Sequence, residues 1–541
     1  MKDVKRVFKV NGKPFFPLGG QSCNSSGYSE KTSETAFKVI KLLHGNTLEI
    51  PVYWDNIEPE EGKFNFTAVD NLLASARRYE VKLILLWFAT WKNGNMDYAP
   101  AWVKSNPQRF QRVISPAGKD LWVLSSHCHA TFEADKKAFT ALCKHLKVKD
   151  STEQTVIGLQ IENEPGILGS DRDYGYEAQT VFDSPVPVKL ITEMKKSGKG
   201  TVYNLWQQAG GQESSTWPEI FGYAAGELMT AWSIAGYINS IAEAGKAVYH
   251  LPMYVNVWLM EQPSWRFPGE TYPSGGAISK VLDIYKWFAP SLDMIAPDNY
   301  QEDSKTYEAV CAAYSRDDNP FFMPETGFIG NSQGWNIFRA IADYNLIGDG
   351  YFGVEYMVND DGLIRPEFQT GADSLRCVAA VIPLLLKYQG TGKVHAIIQE
   401  DLLWSQHLDF EGFAGLVEFG AGRGGFVGRD WKHKPIVTMP ERTETNRGRG
   451  LIIQASRNEF YLVGANYRLY LRPQPSMIKT QSPRPVVDPS PKLHGYFMSV
   501  DEGHFDQNGE FVVDLQRNGD EISRGLWVEP NIGVVRVITC D

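Results

Sequence analysis

The sequence predicts an α/β protein, a closed (β/α)8 TIM barrel followed by a C-terminal antiparallel β-sandwich-like domain. Eight short runs rich in β-branched and aromatic residues recur within the first 360 positions, with stretches of helical period between them. After about residue 385 the texture turns to short strand candidates divided by Gly, Asn, Asp and Pro. Eight is the number of strands that closes a barrel of this kind.

The runs are "FPLGG" near 16, "TLEIPVYW" from 47, "VKLILLWFA" from 81, "TVIGLQIEN" from 155, "MYVNVWL" from 253, "LDMIAPDNY" from 292, "FFMPETG" from 321 and "GYFGVEYM" from 350. Between the first two, Ala36, Val39, Ile40 and Leu43 recur at helical spacing, with Gly45 placed to end the helix. Val69, Leu72, Leu73 and Ala76 repeat the pattern before the third run, and Phe139, Leu142, Cys143 and Leu146 before the fourth. One-sided helices alternating with apolar strands cover the outer face of a parallel sheet. Residues 166 to about 250 are too long for a plain crossover and read as an insertion over the barrel mouth, with helices near 187–208 and 226–246. The expected domains are 1–385, the barrel with that insertion, and 386–541, a β-rich accessory domain in which Leu469 and Leu471 alternate with Arg468, Tyr470 and Arg472. "TMPERTETNRGRG" reads as a loop there and "RPQPSMIKTQSPRPVVDPSPK" as a proline-stiffened connection.

Composition narrows the function. The net charge of −10 comes without a basic block, which argues against nucleic acid as a partner. Aromatic residues make up 12%, which fits either platforms for a sugar ring or a large aromatic core. The six cysteines show no paired ligand spacing and read as reduced thiols. The N-terminus has no apolar stretch of signal-peptide length and no later segment reads as a membrane span, so a cytoplasmic location is expected. His127, Cys128 and His129 form "HCH", but in an extended segment the cysteine points away from the histidines, so no metal site is expected. No GxSxG precedes a helix, which leaves no sign of a serine triad.

In a barrel, reacting groups collect where strands end, because the following loops converge on one opening. The fourth run ends with Asn163 and Glu164, and the seventh with Glu325. Two carboxylates placed this way fit either a shared catalytic site or structural pairing. A shared pair could hydrolyse a glycosidic bond without metal or cofactor. Other strand ends offer candidate binding groups: Tyr53 and Trp54, Trp87, Trp258, Asp298 to Tyr300, and Glu355 with Tyr356. Taken singly each reads sooner as a core or loop-anchoring residue, while as a group they line an opening with aromatic faces and hydrogen-bonding edges. Glu162, two positions before Glu164, would share its face in a regular strand and lie one layer deeper, as a supporting carboxylate held by an arginine or hydroxyl.

The segments "NTLEIPVYWDNIEPEEGKFNF", "LILLWFATWKNGNMDYAPAWVK", "VIGLQIENEPG", "GKAVYHLPMYVNVWL", "YPSGG", "IAPDNY" and "FFMPETG" resemble the β-galactosidases of glycoside hydrolase family 35. They are more closely similar to a bacterial and fungal subgroup whose barrel is also similar to family 42. The resemblance spans about residues 8–365. It implies a retaining mechanism with Glu164 as acid and base, Glu325 as nucleophile and Asn163 on the sugar 2-hydroxyl. It places Tyr300 beside the nucleophile and Trp258 as a wall of the sugar site. The implied substrate is a terminal, non-reducing β-D-galactosyl residue of an oligosaccharide or a polysaccharide side chain, and some of the close subgroup are similar to enzymes acting on xyloglucan.

One departure stands out. Where the subgroup has Gly-Glu, an apolar residue, then His-Asn-Ser, this chain reads "GGQSCNSS", with Gln21 and Cys23 at the glutamate and histidine positions and Asn24 retained. Losing two charged contacts bears on which sugar epimer fits. The alternatives are therefore a β-glucosidase or other exo-β-glycosidase of the same clan and, from a different class, a non-catalytic carbohydrate-binding barrel, which retention of both carboxylates disfavours. A homodimer is the open expectation for assembly.

Overall fold

The computed structural model describes residues 6–261, 265–327, 333–401, 403–419, 447–474, 497–522 and 525–540. Of the loop read from 438 to 450, residues 438–446 lie outside the described residues, as does most of the proline-rich stretch from 472 to 492, whereas Arg449 and Gly450, read as the end of that loop, open a strand. The chain divides into two compact units: Arg6–Phe328 with Leu346–Asp361, and Ile329–Asn345 with Gly362–Asp541.

In the first unit all eight expected runs form strands: β1 (Leu18–Gln21), β2 (Thr47–Tyr53), β3 (Lys82–Lys92), β4 (Val156–Asn163), β5 (Met253–Val257), β6 (Met294–Asn299), β7 (Met323–Thr326) and β8 (Asp349–Phe352). Each pairs in parallel with the next, and β8 returns to β1, closing the barrel. Every residue of β2 and β4 is buried, as expected when helices cover one face of a strand and packed side chains fill the other. Ile84, Leu86, Phe88, Tyr254, Ala296 and Phe322 belong to one core cluster with Phe8. Phe8 comes from a hairpin of Phe8–Val10 and Lys13–Phe15 and meets Phe322 edge-on at 5.4 Å.

The helix Glu30–Leu42 starts at Ser29, whose side chain and Thr32 form a reciprocal capping box. It ends before Gly45: His44 takes the left-handed conformation, with φ 57°. Gly45 serves packing instead, since a Cβ there would lie 3.0 Å from the Leu18 carbonyl oxygen and 3.1 Å from the Gly19 Cα.

The segment expected as an insertion carries four short helices: Tyr176–Phe182, Val188–Ser197, Thr201–Gln208 and Trp217–Phe221. The helix read from 187 to 208 is broken by Gly198 and Gly200, at φ 61° and 99°. The next helix, Ala225–Val248, packs against the helix His129–Asp150 in the outer layer. It is the crossover between β4 and β5.

One interior group makes a stability prediction. Asp349, at the start of β8, is buried with no hydrogen bond to either carboxyl oxygen among the described residues, and burial pushes its carboxyl up to about 8 from 3.8. A raised folded-state value costs nothing at acid pH, but the cost grows as pH climbs from about 4 to about 8. The melting temperature of Asp349→Asn relative to wild type should therefore rise across that interval and level off above it. A difference that does not change with pH contradicts this.

The second unit holds two antiparallel sheets. One has six strands in the order Val394–Ile398, Arg449–Ser456, Glu459–Ala465, Val534–Thr539, Phe497–Phe505, Phe511–Arg517. The other has four: Ser405–Phe410, Phe413–Phe419, Tyr467–Pro473 and Leu526–Val528. Ile452, Leu462 and Val537 of the first share a core with Phe413, Val417, Leu469 and Leu471 of the second, which makes a sandwich. Besides Ile329–Asn345, the long continuous stretch of this unit runs from Gly362, ahead of the change of texture near 385, because the helices Gln369–Ala380 and Ile382–Tyr388 precede its strands. Among the described residues, no helix is long and apolar enough to cross a membrane.

Candidate active site

Pairing between β3 and β4 is regular up to Trp87 opposite Ile161, then resumes only at Lys92 opposite Asn163. Four residues of β3 thus face a single residue, Glu162. Glu162 and Glu164 both adopt left-handed backbone, with φ 60° and 45°, conformations that non-glycine residues hold only when their surroundings enforce them. Strand alternation therefore fails at the end of β4. Glu162 turns away from the barrel interior: its Oε2 accepts the Trp91 backbone N–H at 2.7 Å, and it lies beside Asp135 of the helix His129–Asp150. The expected arginine or hydroxyl partner gives way to a second carboxyl group and a backbone amide. Burial, then the nearby Asp135, raise the Glu162 carboxyl well above its usual range.

Glu164 remains with the barrel opening. Its backbone N–H donates to Asn256 Oδ1 at 2.8 Å, and its carbonyl accepts from the Gly94 N–H at 3.2 Å. Burial first, and the Glu325 charge second, push its carboxyl up to about 7, against the pull of Lys92 and a hydrogen bond with Asp298.

Glu325, on β7, receives three donors: Gln21 Nε2 at 2.9 Å, Asn256 Nδ2 at 3.3 Å and the Tyr300 hydroxyl at 2.8 Å. Such a cradle suits a carboxylate anion. One carboxyl oxygen from each of Glu164, Asp298 and Glu325 lies within 4.8 Å of the other two. Three oxygens at this spacing could also surround a cation, but donors already crowd Glu325, an arrangement suited to an anion facing a sugar.

The strand ends thus bring together Gln21, Asn163, Glu164, Tyr300 and Glu325. Asn163 is fixed by Asn93, Gln160 and Asn256 at 3.2 to 3.3 Å. Gln21 Oε1 and Asn24 Oδ1 are buried without a hydrogen-bond partner among the described residues. Trp258, just past β5, is half-buried.

Four expected contacts have other work. Trp87 is fully buried and donates its indole N–H to Asp135 at 2.9 Å. It alternates with Leu86 and Phe88 of the core cluster, so period two turns it toward the helices. Tyr53 stacks on Tyr28 at 3.8 Å and donates to the Asn24 carbonyl at 2.7 Å, holding the loop after β1. Glu355 uses both oxygens on that loop, one on the Cys23 N–H and one on the Ser26 hydroxyl. The Cys23 thiol is pushed up to about 12 by burial and then by Glu355, which leaves it neutral.

Two groups that sequence reasoning left unassigned sit at the centre. Asn256 donates to Asp298 at 2.8 Å besides meeting Glu164, Glu325 and Asn163. Its signal was one polar residue between Val255 and Val257 in an apolar strand. Lys92, at the end of β3, is the cation whose charge opposes the raised values of Glu164 and Asp298.

Residues 24–221 match the family-42 glycoside hydrolase model described as "Beta-galactosidase". The chain is a glycoside hydrolase. Of the two families the sequence resembles, this model is the family-42 one, and it makes the matched part of the barrel β-galactosidase-like. Residues 372–529 match a domain of unknown function, DUF5597. No curated protein matches the chain. Among solved structures, the catalytic domain of β-amylase from Paenibacillus polymyxa is 12% identical, with a TM-score of 0.48, over 66% of this chain and 97% of that one. A β-galactosidase from Bacillus circulans sp. alkalophilus is 14% identical, with a TM-score of 0.49, over 70% of this chain. One from the haloarchaeon Halorubrum lacusprofundi is 15% identical, with a TM-score of 0.45, over 67% of it. The chain spans 58% of the length of each of these two β-galactosidases.

Proposed function

We propose that this glycoside hydrolase is an exo-acting, retaining β-galactosidase that releases terminal non-reducing β-D-galactosyl residues by double displacement. The observation that carries the mechanism is the approach of a Glu164 oxygen to within 4.8 Å of a Glu325 oxygen. Retaining pairs stand roughly 5–5.5 Å apart, whereas inverting pairs leave room for a water at about 6.5–9.5 Å. Glu164 gives its proton to the leaving oxygen as the Glu325 carboxylate attacks the anomeric carbon. Glu164 then takes a proton from water, whose oxygen displaces Glu325.

Asn163 meets the 2-hydroxyl, Trp258 walls the sugar, and the open acceptor atoms of Gln21 and Asn24 receive hydroxyl protons. The substrate is an oligosaccharide or polysaccharide side chain; nucleic acid and membrane have no part, and a homodimer is the proposed assembly. Because Glu164 must arrive protonated, kcat/KM should fall on its basic side with an apparent value near 7. A pH–rate profile flat to well above that value contradicts the assignment.

The second reading is a β-glucosidase or another exo-β-glycosidase of the clan. It is favoured by Gln21, whose amide donates to Glu325, and by the neutral Cys23 thiol, so that neither supplies a charged contact to a hydroxyl. Initial rates on matched aryl β-D-galactoside, glucoside, fucoside and xyloside separate the two. A preference for galactoside supports the first reading, and a preference for glucoside replaces it with the second.

A further inference from the structure

A third carboxyl group shares the site with the acid and the nucleophile, and the two-carboxylate mechanism gives it no task. Asp298, near the end of β6, is 3% exposed. Its Oδ2 accepts from Asn256 Nδ2 at 2.8 Å, while no donor reaches its Oδ1 among the described residues. A buried carboxylate oxygen left without a donor is costly, and more so beside two other carboxyl groups. The arrangement becomes satisfied if Oδ1 itself carries a hydrogen, because a Glu164 oxygen lies within reach as the acceptor.

We propose that Asp298 keeps its proton throughout the catalytic cycle and donates it as a hydrogen bond to Glu164, acting as a positioning residue for the acid/base. The proposal rests on the assignment of Glu164 made above. The groups facing Asp298 agree with a neutral state. Glu164 comes from β4, Glu325 from β7, and the hydroxyls of Tyr254, Tyr300 and Tyr314 from β5, the end of β6 and a neighbouring helix, with Lys92 of β3 as the cation. Burial, then the Glu325 and Glu164 charges, hold the Asp298 carboxyl well above its ordinary range.

The proton count closes. During glycosylation Glu164 loses its proton to the leaving oxygen, and its new negative charge receives the Asp298 O–H. During deglycosylation Glu164 recovers a proton from water, and Asp298 ends as it began. The benefit falls on the stage at which Glu164 is ionised, since hydrogen bonds to a charged acceptor are the stronger ones.

The test compares Asp298→Asn with Asp298→Ala in pH–rate profiles of kcat/KM on an aryl β-D-galactoside. Asparagine reproduces the neutral acid, with its amide N–H on Glu164 and its carbonyl on Asn256, so the basic limb should stay in place. Alanine removes the donor to ionised Glu164 and should move the limb up by about one pH unit. If Asp298 were ionised, both variants would relieve repulsion and move the limb down, and that result overturns the proposal. So does an unmoved limb in Asp298→Ala. Infrared difference spectra of wild type against Asp298→Asn, recorded above the limb, give an answer even if the alanine variant does not fold. A protonated-carboxyl band present only in wild type supports the proposal, and its absence overturns it. Azide rescue of Glu164→Ala tests the underlying assignment separately. Rescue together with an unmoved limb in Asp298→Ala removes the Asp298 role alone, whereas failed rescue removes the Glu164 assignment itself.

Discussion

Glu325→Gln abolishes turnover, with kcat on an aryl β-D-galactoside falling by about a thousandfold or more, while the protein stays folded. The amide is nearly the same shape and still offers an oxygen to Gln21 and Asn256, which now donate to Glu325. It cannot form a glycosyl ester, so the first displacement has no nucleophile. Removing a charge near Glu164 and Asp298 also relieves repulsion, because Glu325 raises both of those carboxyls. The melting temperature should accordingly equal or exceed that of wild type. Turnover close to wild type in a folded variant would remove Glu325 from the mechanism.

Glu164→Ala behaves differently. With an activated leaving group such as dinitrophenolate, glycosylation needs little acid assistance, so the glycosyl-enzyme forms and then waits for a base that is gone. Rapid mixing should show a burst followed by a slow steady state. Azide fits the space the carboxyl vacates, attacks the intermediate without a base, and restores turnover as a glycosyl azide of retained β configuration. With a poor leaving group the loss should be on the order of 10²–10⁴-fold, the usual share of general acid–base catalysis. Full turnover on ordinary substrates without azide would falsify the role.

The barrel was legible because its eight strands are apolar runs buried on both faces, a pattern that polar loops and amphipathic helices do not imitate. Glu164 and Glu325 were legible as positions because each follows such a run. The direction of Glu162 was not. It depends on four residues of β3 opposing one of β4, and a bulge leaves no mark on the alternation of either strand taken alone. Trp87 shows the reverse case, since the parity of Ile84, Leu86 and Phe88 already turns it outward once the interior face is known. Gln21 looked like a group for the sugar, yet its amide reaches a carboxylate more than 300 positions along the chain. That pairing comes from the closure of the barrel, which no local pattern contains. Tyr53 and Glu355 follow the loop-anchoring alternative, and which loop they hold was hidden for the same reason: their partners lie after β1, brought to them by the fold.

The helix Gln333–Tyr344 lies between β7 and β8 in sequence but belongs to the second compact unit, where it packs on the strand Val394–Ile398 and the helix Gln369–Ala380. The backbone therefore leaves the barrel unit after Phe328, returns at Leu346 and leaves again after Asp361. A single cut at that last point would give an N-terminal fragment carrying a helix whose packing partners had been removed, and a C-terminal fragment missing one of its own helices. In sequence the units alternate rather than follow one another, so no uninterrupted stretch of chain holds the barrel unit alone, and it cannot be excised or transplanted as one continuous cassette.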